Sequence, residues 1–189
     1  MSLPEAAGHF RRLHEADPGY PAGIPHPPWD DRFYGGQVLD FGWEGLANKG
    51  LFAAAARWYA EVLTAHPHLL VGRPIGHRYY AAWAAALAGC GHGRDAADLD
   101  EKGRAGFRRR ALDWLRDELE AQHRLLEGKP EKVWAVARDM QYWLLDPHFA
   151  GVREPEALGR LPEAERQAWQ QLWADVADTL ARAVEKLPR

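Results

Sequence analysis

The strongest constraint on this chain lies in residues 37–67, QVLDFGWEGLANKGLFAAAARWYAEVLTAHP. Two apolar runs are separated there by Asn48-Lys49-Gly50. The first run places Val38, Leu39, Phe41, Trp43 and Leu46. The second places Phe52, Ala55, Ala56, Tyr59, Val62 and Leu63 at i, i+3, i+4, i+7 spacing, which lines one face of a helix. Gly50 is the residue expected to enter positive φ, because it has no Cβ to clash there. Pro67 cannot continue a helix. The stretch therefore predicts two short helices joined by a tight turn.

The rest of the chain continues the pattern. Residues 3–16 read as a short helix with Pro4 in its first turn and Phe10 and Leu13 as its stripe. Residues 19–36, GYPAGIPHPPWDDRFYGG, hold too many prolines and glycines for a helix, yet carry Tyr20, Ile24, Trp29, Phe33 and Tyr34. An ordered, extended segment packed across the helices is expected there. His77 to Gly89 is apolar nearly all round and is expected to be the most buried helix. Gly89, Gly91 and Gly93 end it. Residues 102–127 predict a long amphipathic helix, residues 130–145 another, and residues 162–186 a last one with the stripe Trp169, Leu172, Trp173, Val176, Leu180 and Val184. Residues 148–161 read as irregular, with one helical turn at 155–159. No window shows the alternation or β-branched enrichment of a strand. The expected fold class is all-α with no sheet, organised as an N-terminal segment, 1–35, and a helical domain, 36–189.

Composition removes several function classes. The 189 residues are enough for one domain, and nine Trp supply a large apolar payload. A net charge of −3 with interspersed signs gives nucleic acid no global attraction, so no nucleic-acid partner is expected. The single cysteine, Cys90, excludes an internal disulfide and fits a reducing, cytoplasmic compartment. No apolar run approaches the roughly 20 residues that span a bilayer, and the polar N-terminus has no signal-peptide core. No membrane partner is expected, and the expected assembly state is a monomer or weak homo-oligomer.

Motifs for chemistry are few. His66-x-His68, His77 and Cys90-x-His92 are the metal candidates, but three or four would have to converge on one ion. Surface and capping histidines are the plainer reading, and no metal or other cofactor is expected. Cys90 lacks a partnered His and Asn pattern and reads as a small hydrophobe. Asp30-Asp31 suits a turn or a helix cap. The glycines at 89, 91 and 93 follow a helix and precede no GK[ST], so they make no phosphate loop. Residues 42–45, GWEG, lack the serine of a nucleophile elbow. Trp58, Trp83, Trp114, Trp143, Trp169 and Trp173 sit at helical spacing and read as core, with Trp83 expected to be buried. The run Arg108-Arg109-Arg110, among Asp113, Asp117 and Glu118, reads as a solvated face.

The stretch 37–67 resembles a tetratricopeptide unit, a helix–turn–helix of about 34 residues. The family's turn glycine, small residue, aromatic and closing proline fall on Gly50, Ala55, Tyr59 and Pro67. Its first-helix positions are held by Leu39, Gly42-Trp43 and Leu46, which depart from the usual Trp, Leu-Gly and Tyr. From about residue 51 to 183 the chain also resembles a segment of large bacterial multidomain proteins, where it often follows a serine/threonine kinase domain. The motifs are AAAARWYAE, HRYYAAWAAALAGCG, RRRALDWLRDEL, DPHFAGVREPEALGRLPEAERQAW and LWADV. Tyr80 and Trp83 replace a small polar residue and a cysteine of that segment. No Gly-rich loop, HRD or DFG of a kinase is present.

The resemblance implies an array of antiparallel helical hairpins that binds a protein or peptide partner without catalysis. The alternative class is a small-ligand or enzymatic helical domain, with a pocket between the N-terminal segment and the Trp-rich helices. In the tetratricopeptide family the first helix lines the groove, and its groove positions here are Gln37, Asp40, Glu44 and Asn48. Asp40 and Glu44 would repel the terminal carboxylate that the family's best-known groove accepts. A basic or amide-rich partner, bound more weakly in salt, is therefore expected on that face, unless residues 19–36 fill it.

Overall fold

The computed structural model describes residues 45–65 and 76–187, and all the described regular structure is helical. Residues 45–47 end a helix. Gly50 follows at φ +67°, with its N–H donating to Ala47 O and the Leu51 N–H to Leu46 O, each at 2.9 Å. This is a Schellman turn, in which the glycine's left-handed conformation lets two orphan carbonyls be satisfied. The main elements are α1 (Phe52–Ala65), α2 (His77–Gly89), α3 (Glu101–Gly128), α4 (Val133–Leu145), the single turns α5 (Ala150–Arg153) and α6 (Pro155–Leu158), and α7 (Glu163–Glu185). The all-α expectation holds. The long element at 102–127 gains one residue at each end, and the expected helix at 130–145 opens as a 3-10 turn, Pro130–Lys132, before α4.

Side-chain pairings fix the directions. Phe52 at the start of α1 packs on Trp83, while Leu63 and Thr64 at its end meet Arg78, so α1 and α2 run antiparallel. Arg108 near the start of α3 donates to Gly89 O at the end of α2, and Gly76 lies against Glu118 further along α3. That pair is antiparallel too. α7 runs parallel to α3, stitched by Arg108 to Glu165, His123 to Thr179, and Glu127 to Lys186. α4 packs against α7.

The core is continuous from Leu46 to Ala183. The small-residue surface of α2, with Ala81, Ala82, Ala84, Ala85, Ala86 and Ala88 all fully buried, lets α1 and α3 approach closely. A Cβ on Gly89 would stand 2.4 Å from Arg108 Cγ, so glycine is what admits the arginine there.

Several sequence expectations are corrected. Arg108 is buried, and only Arg109 and Arg110 of the basic run face solvent. Trp83 is half-buried, because it lies with Tyr80 and Leu87 on a stripe of α2 that is not fully covered. Val184 of α7 is exposed, at 53%, where packing was expected, and Trp134 and Tyr142 of α4 are exposed as well, at 66% and 49%. Thr179 and Ala183 continue the inner stripe of α7 instead. No helix among the described residues is long and apolar enough to cross a membrane. The N-terminal segment and the 35/36 boundary lie outside the described residues.

Candidate functional site

α1 and α3 both flank α2 and run in the same direction, which leaves a valley between them. Within it is an open groove of ≈ 260 Å³ lined by Ala60, Leu63, Thr64, Arg78, Arg110, Trp114 and Asp117. The sequence builds it through spacing. Ala60, Leu63 and Thr64 occupy one side of the last turns of α1. Arg110, Trp114 and Asp117 recur every three or four residues along α3, so their side chains stack on one face.

The groove is amphipathic. Polar surface from Thr64, Arg78, Arg110 and Asp117 predominates in its lining, with Ala60, Leu63 and Trp114 supplying the apolar part, and Thr64 donates its hydroxyl to Ala60 O at 2.6 Å. The Arg110 guanidinium lies 5.9 Å from the centroid of the half-exposed Trp114 ring, and further up the valley Arg57 lies 5.3 Å from that of Phe107. Both are cation–π contacts. Arg78 stands 4.0 Å from Asp117 and 3.8 Å from Glu118.

Behind Arg78 lies a buried carboxyl pair. Glu118 accepts the Gly76 N–H, and burial, reinforced by Asp139, pushes its carboxyl above the usual range. Asp139 is bonded by Arg138 at 2.8 Å and by the Gln122 side chain, and burial raises it as well.

A second polar cluster joins α2 to the turn after α4. Asp146, almost fully buried, accepts the Tyr79 hydroxyl at 2.5 Å on Oδ2, and the His148 N–H and Nδ1 at 2.9 and 2.6 Å on Oδ1. His148 keeps 43% of its side chain exposed and stands edge-on to Trp83, with ring centroids 4.1 Å apart. Burial, then the bond to Asp146, holds the Tyr79 hydroxyl far above the ordinary tyrosine range, so it is a permanent donor. Arg153 donates to Trp143 O and Asp146 O at 3.1 and 2.8 Å, closing the end of α4. The cluster orients an imidazole and ties two elements together.

Of the sequence-derived groove residues, Gln37, Asp40 and Glu44 lie outside the described residues. Asn48 is exposed at the Schellman turn, and the full length of α1 separates it from the groove at Ala60 to Thr64. His66 and His68 are also outside. His77 is buried on α2, and among the described residues no three His, Cys, Asp or Glu side chains converge as metal ligands. Cys90 packs against Gly151, and burial pushes its thiol up to about 11, which disfavours the nucleophilic thiolate. Sequence reasoning missed Arg57, Arg78, Arg110 and Trp114 as a set. The signal available was a cation and an aromatic ring four residues apart on α3.

No protein-family model, curated protein or solved structure matches this chain.

Proposed function

We propose that the protein is a non-catalytic helical scaffold that binds a segment of a protein partner, as the tetratricopeptide resemblance implies. The observation that supports this most is the groove between α1 and α3, which is open to solvent, sets Ala60, Leu63 and Trp114 beside a mostly polar lining, and is edged by side chains that can form directional hydrogen bonds. Such a surface suits an extended or helical peptide more than an enclosed small molecule. The reading extends to a cytoplasmic interaction module of a bacterial assembly, monomeric or weakly self-associating. A further binding face around Gln37, Asp40, Glu44 and Asn48, selective for basic or amide-rich segments, belongs to the same proposal.

A second, catalytic reading has one observation behind it. The His148 Nδ1 is held by the buried Asp146, which leaves Nε2 as the free nitrogen of an oriented imidazole. Trp83 stands edge-on to that ring, with centroids 4.1 Å apart.

The test is selection of a random peptide library displayed on phage against the full chain, followed by rebinding to Ala60→Trp. The tryptophan fills the groove from an only partly buried position. The proposal expects an enriched sequence family that loses binding to the variant. No enrichment, or binders indifferent to Ala60→Trp, would contradict it.

A further inference from the structure

We infer that the valley between α1 and α3 selects an acidic segment, with Arg57 and Arg110 as the two anion-binding positions. This inference rests on the scaffold reading above and names the partner's chemistry. The evidence is the state of these two guanidiniums. Each lies over an aromatic ring, Arg57 over Phe107 and Arg110 over Trp114, and each side chain is exposed. Among the described residues neither has a carboxylate within ion-pairing distance. Arg78 on the same groove differs, standing beside Asp117 and Glu118. A guanidinium held against a ring by a cation–π contact keeps N–H groups to donate, and a carboxylate can accept two parallel hydrogen bonds from them.

The spacing sharpens the inference. Phe107 and Trp114 are seven residues apart on α3, about 10 Å at the helical rise of ~1.5 Å per residue. A peptide in the polyproline II conformation returns to one face every third residue, after about 9 Å. Two acidic side chains three residues apart therefore match the spacing of the two rings against which the guanidiniums lie. A nucleic acid carries a charge at every nucleotide. Asp117 on the groove, its side chain 63% exposed, and the net charge of −3 oppose any anion, and they oppose that continuous charge more than a segment with two acidic side chains.

The experiment uses the full chain and three fluorescein-labelled octapeptides on one Gly/Ala/Leu frame, with glutamate, glutamine or lysine at the third and sixth positions. Fluorescence anisotropy should show the glutamate peptide binding about tenfold tighter than the glutamine one, with the preference shrinking as salt is added. The double variant Arg57→Gln/Arg110→Gln should abolish the preference. Arg109→Gln/Arg116→Gln removes the same charge from exposed positions of α3 outside the groove lining, and should keep it. Matching helical circular dichroism establishes that both variants are folded. Equal affinity for glutamate and glutamine peptides, equal loss in both double variants, or tighter binding of an oligo-dT probe would overturn the inference. Groove-bound peptides selected from the random library that carry no acidic pair would overturn it while leaving the scaffold reading standing. Failure to select any peptide would overturn both.

Discussion

Arg108 shows how much one side chain can hold. Its Nε and Nη2 bond Glu165 at 2.6 and 3.2 Å, Nη1 bonds Gly89 O at 2.8 Å, and Nη2 bonds Glu101 at 2.6 Å. Burial alone would lower its pKa, but the two carboxylates outweigh it and keep the guanidinium charged. It thereby caps α2, anchors the start of α3 and pins α7. Removing it strands Glu165 and a helix-end carbonyl, so Arg108→Ala should cost about 3–5 kcal/mol in urea-induced unfolding. Exposed Arg109→Ala should change stability by less than about 0.5 kcal/mol. Equal small effects of the two substitutions would show that Arg108 is not the junction described. The sequence concealed this residue. Arg108-Arg109-Arg110 among acids is what a solvated face looks like, and a partner 57 positions away leaves no local trace.

At the scale of elements, apolar period and breakers made most helices legible. The C-terminal end of α2 follows directly from Gly89, Gly91 and Gly93, and Gly91 repeats the Schellman turn of Gly50, with His92 N–H donating to Leu87 O at 2.9 Å. What the sequence hid is non-local. The Asp95 carboxylate receives the Ala53 and Ala54 N–H groups at 3.2 and 2.7 Å, capping α1 from a loop two elements later. The outward turn of Trp134 and Tyr142 is set by which face α7 covers, and hydrophobicity alone does not report that. The contact of α2 and α3 with α4 also predicts a pH effect. Glu118 and Asp139 both have carboxyls raised above the ordinary range, chiefly by burial. The folded state therefore holds protons that the unfolded chain has released, and this contribution to stability falls as pH rises from the ordinary carboxylate range through the raised values. Glu118→Gln should flatten that part of the profile, gaining on the wild type as pH rises towards neutrality. Chemical denaturation of both across that range checks it. Parallel curves would mean that Glu118 titrates alike in folded and unfolded chains.

For the whole molecule, the all-α class was readable because a helical period recurs in nearly every segment and strand alternation in none. The groove was less legible, since the thin alanine surface of α2 is what brings α1 and α3 side by side, and side chains as far apart in sequence as Ala60 and Trp114 line one groove only in the fold. The face assigned from sequence to Gln37, Asp40, Glu44 and Asn48 came from a repeat template, and of these only Asn48 lies among the described residues. Three surfaces therefore compete as the place where a partner docks: the α1/α3 valley, the Tyr80–Trp83–His148 patch, and the exposed Trp134–Tyr142–Leu145 stripe of α4. Backbone amide NMR of the full chain, titrated with a library-selected peptide, separates them. The account predicts that the largest shifts fall on Arg57, Ala60, Leu63, Thr64, Arg110 and Trp114. Shifts centred on Trp83 and His148, or on Trp134 and Leu145, would contradict it.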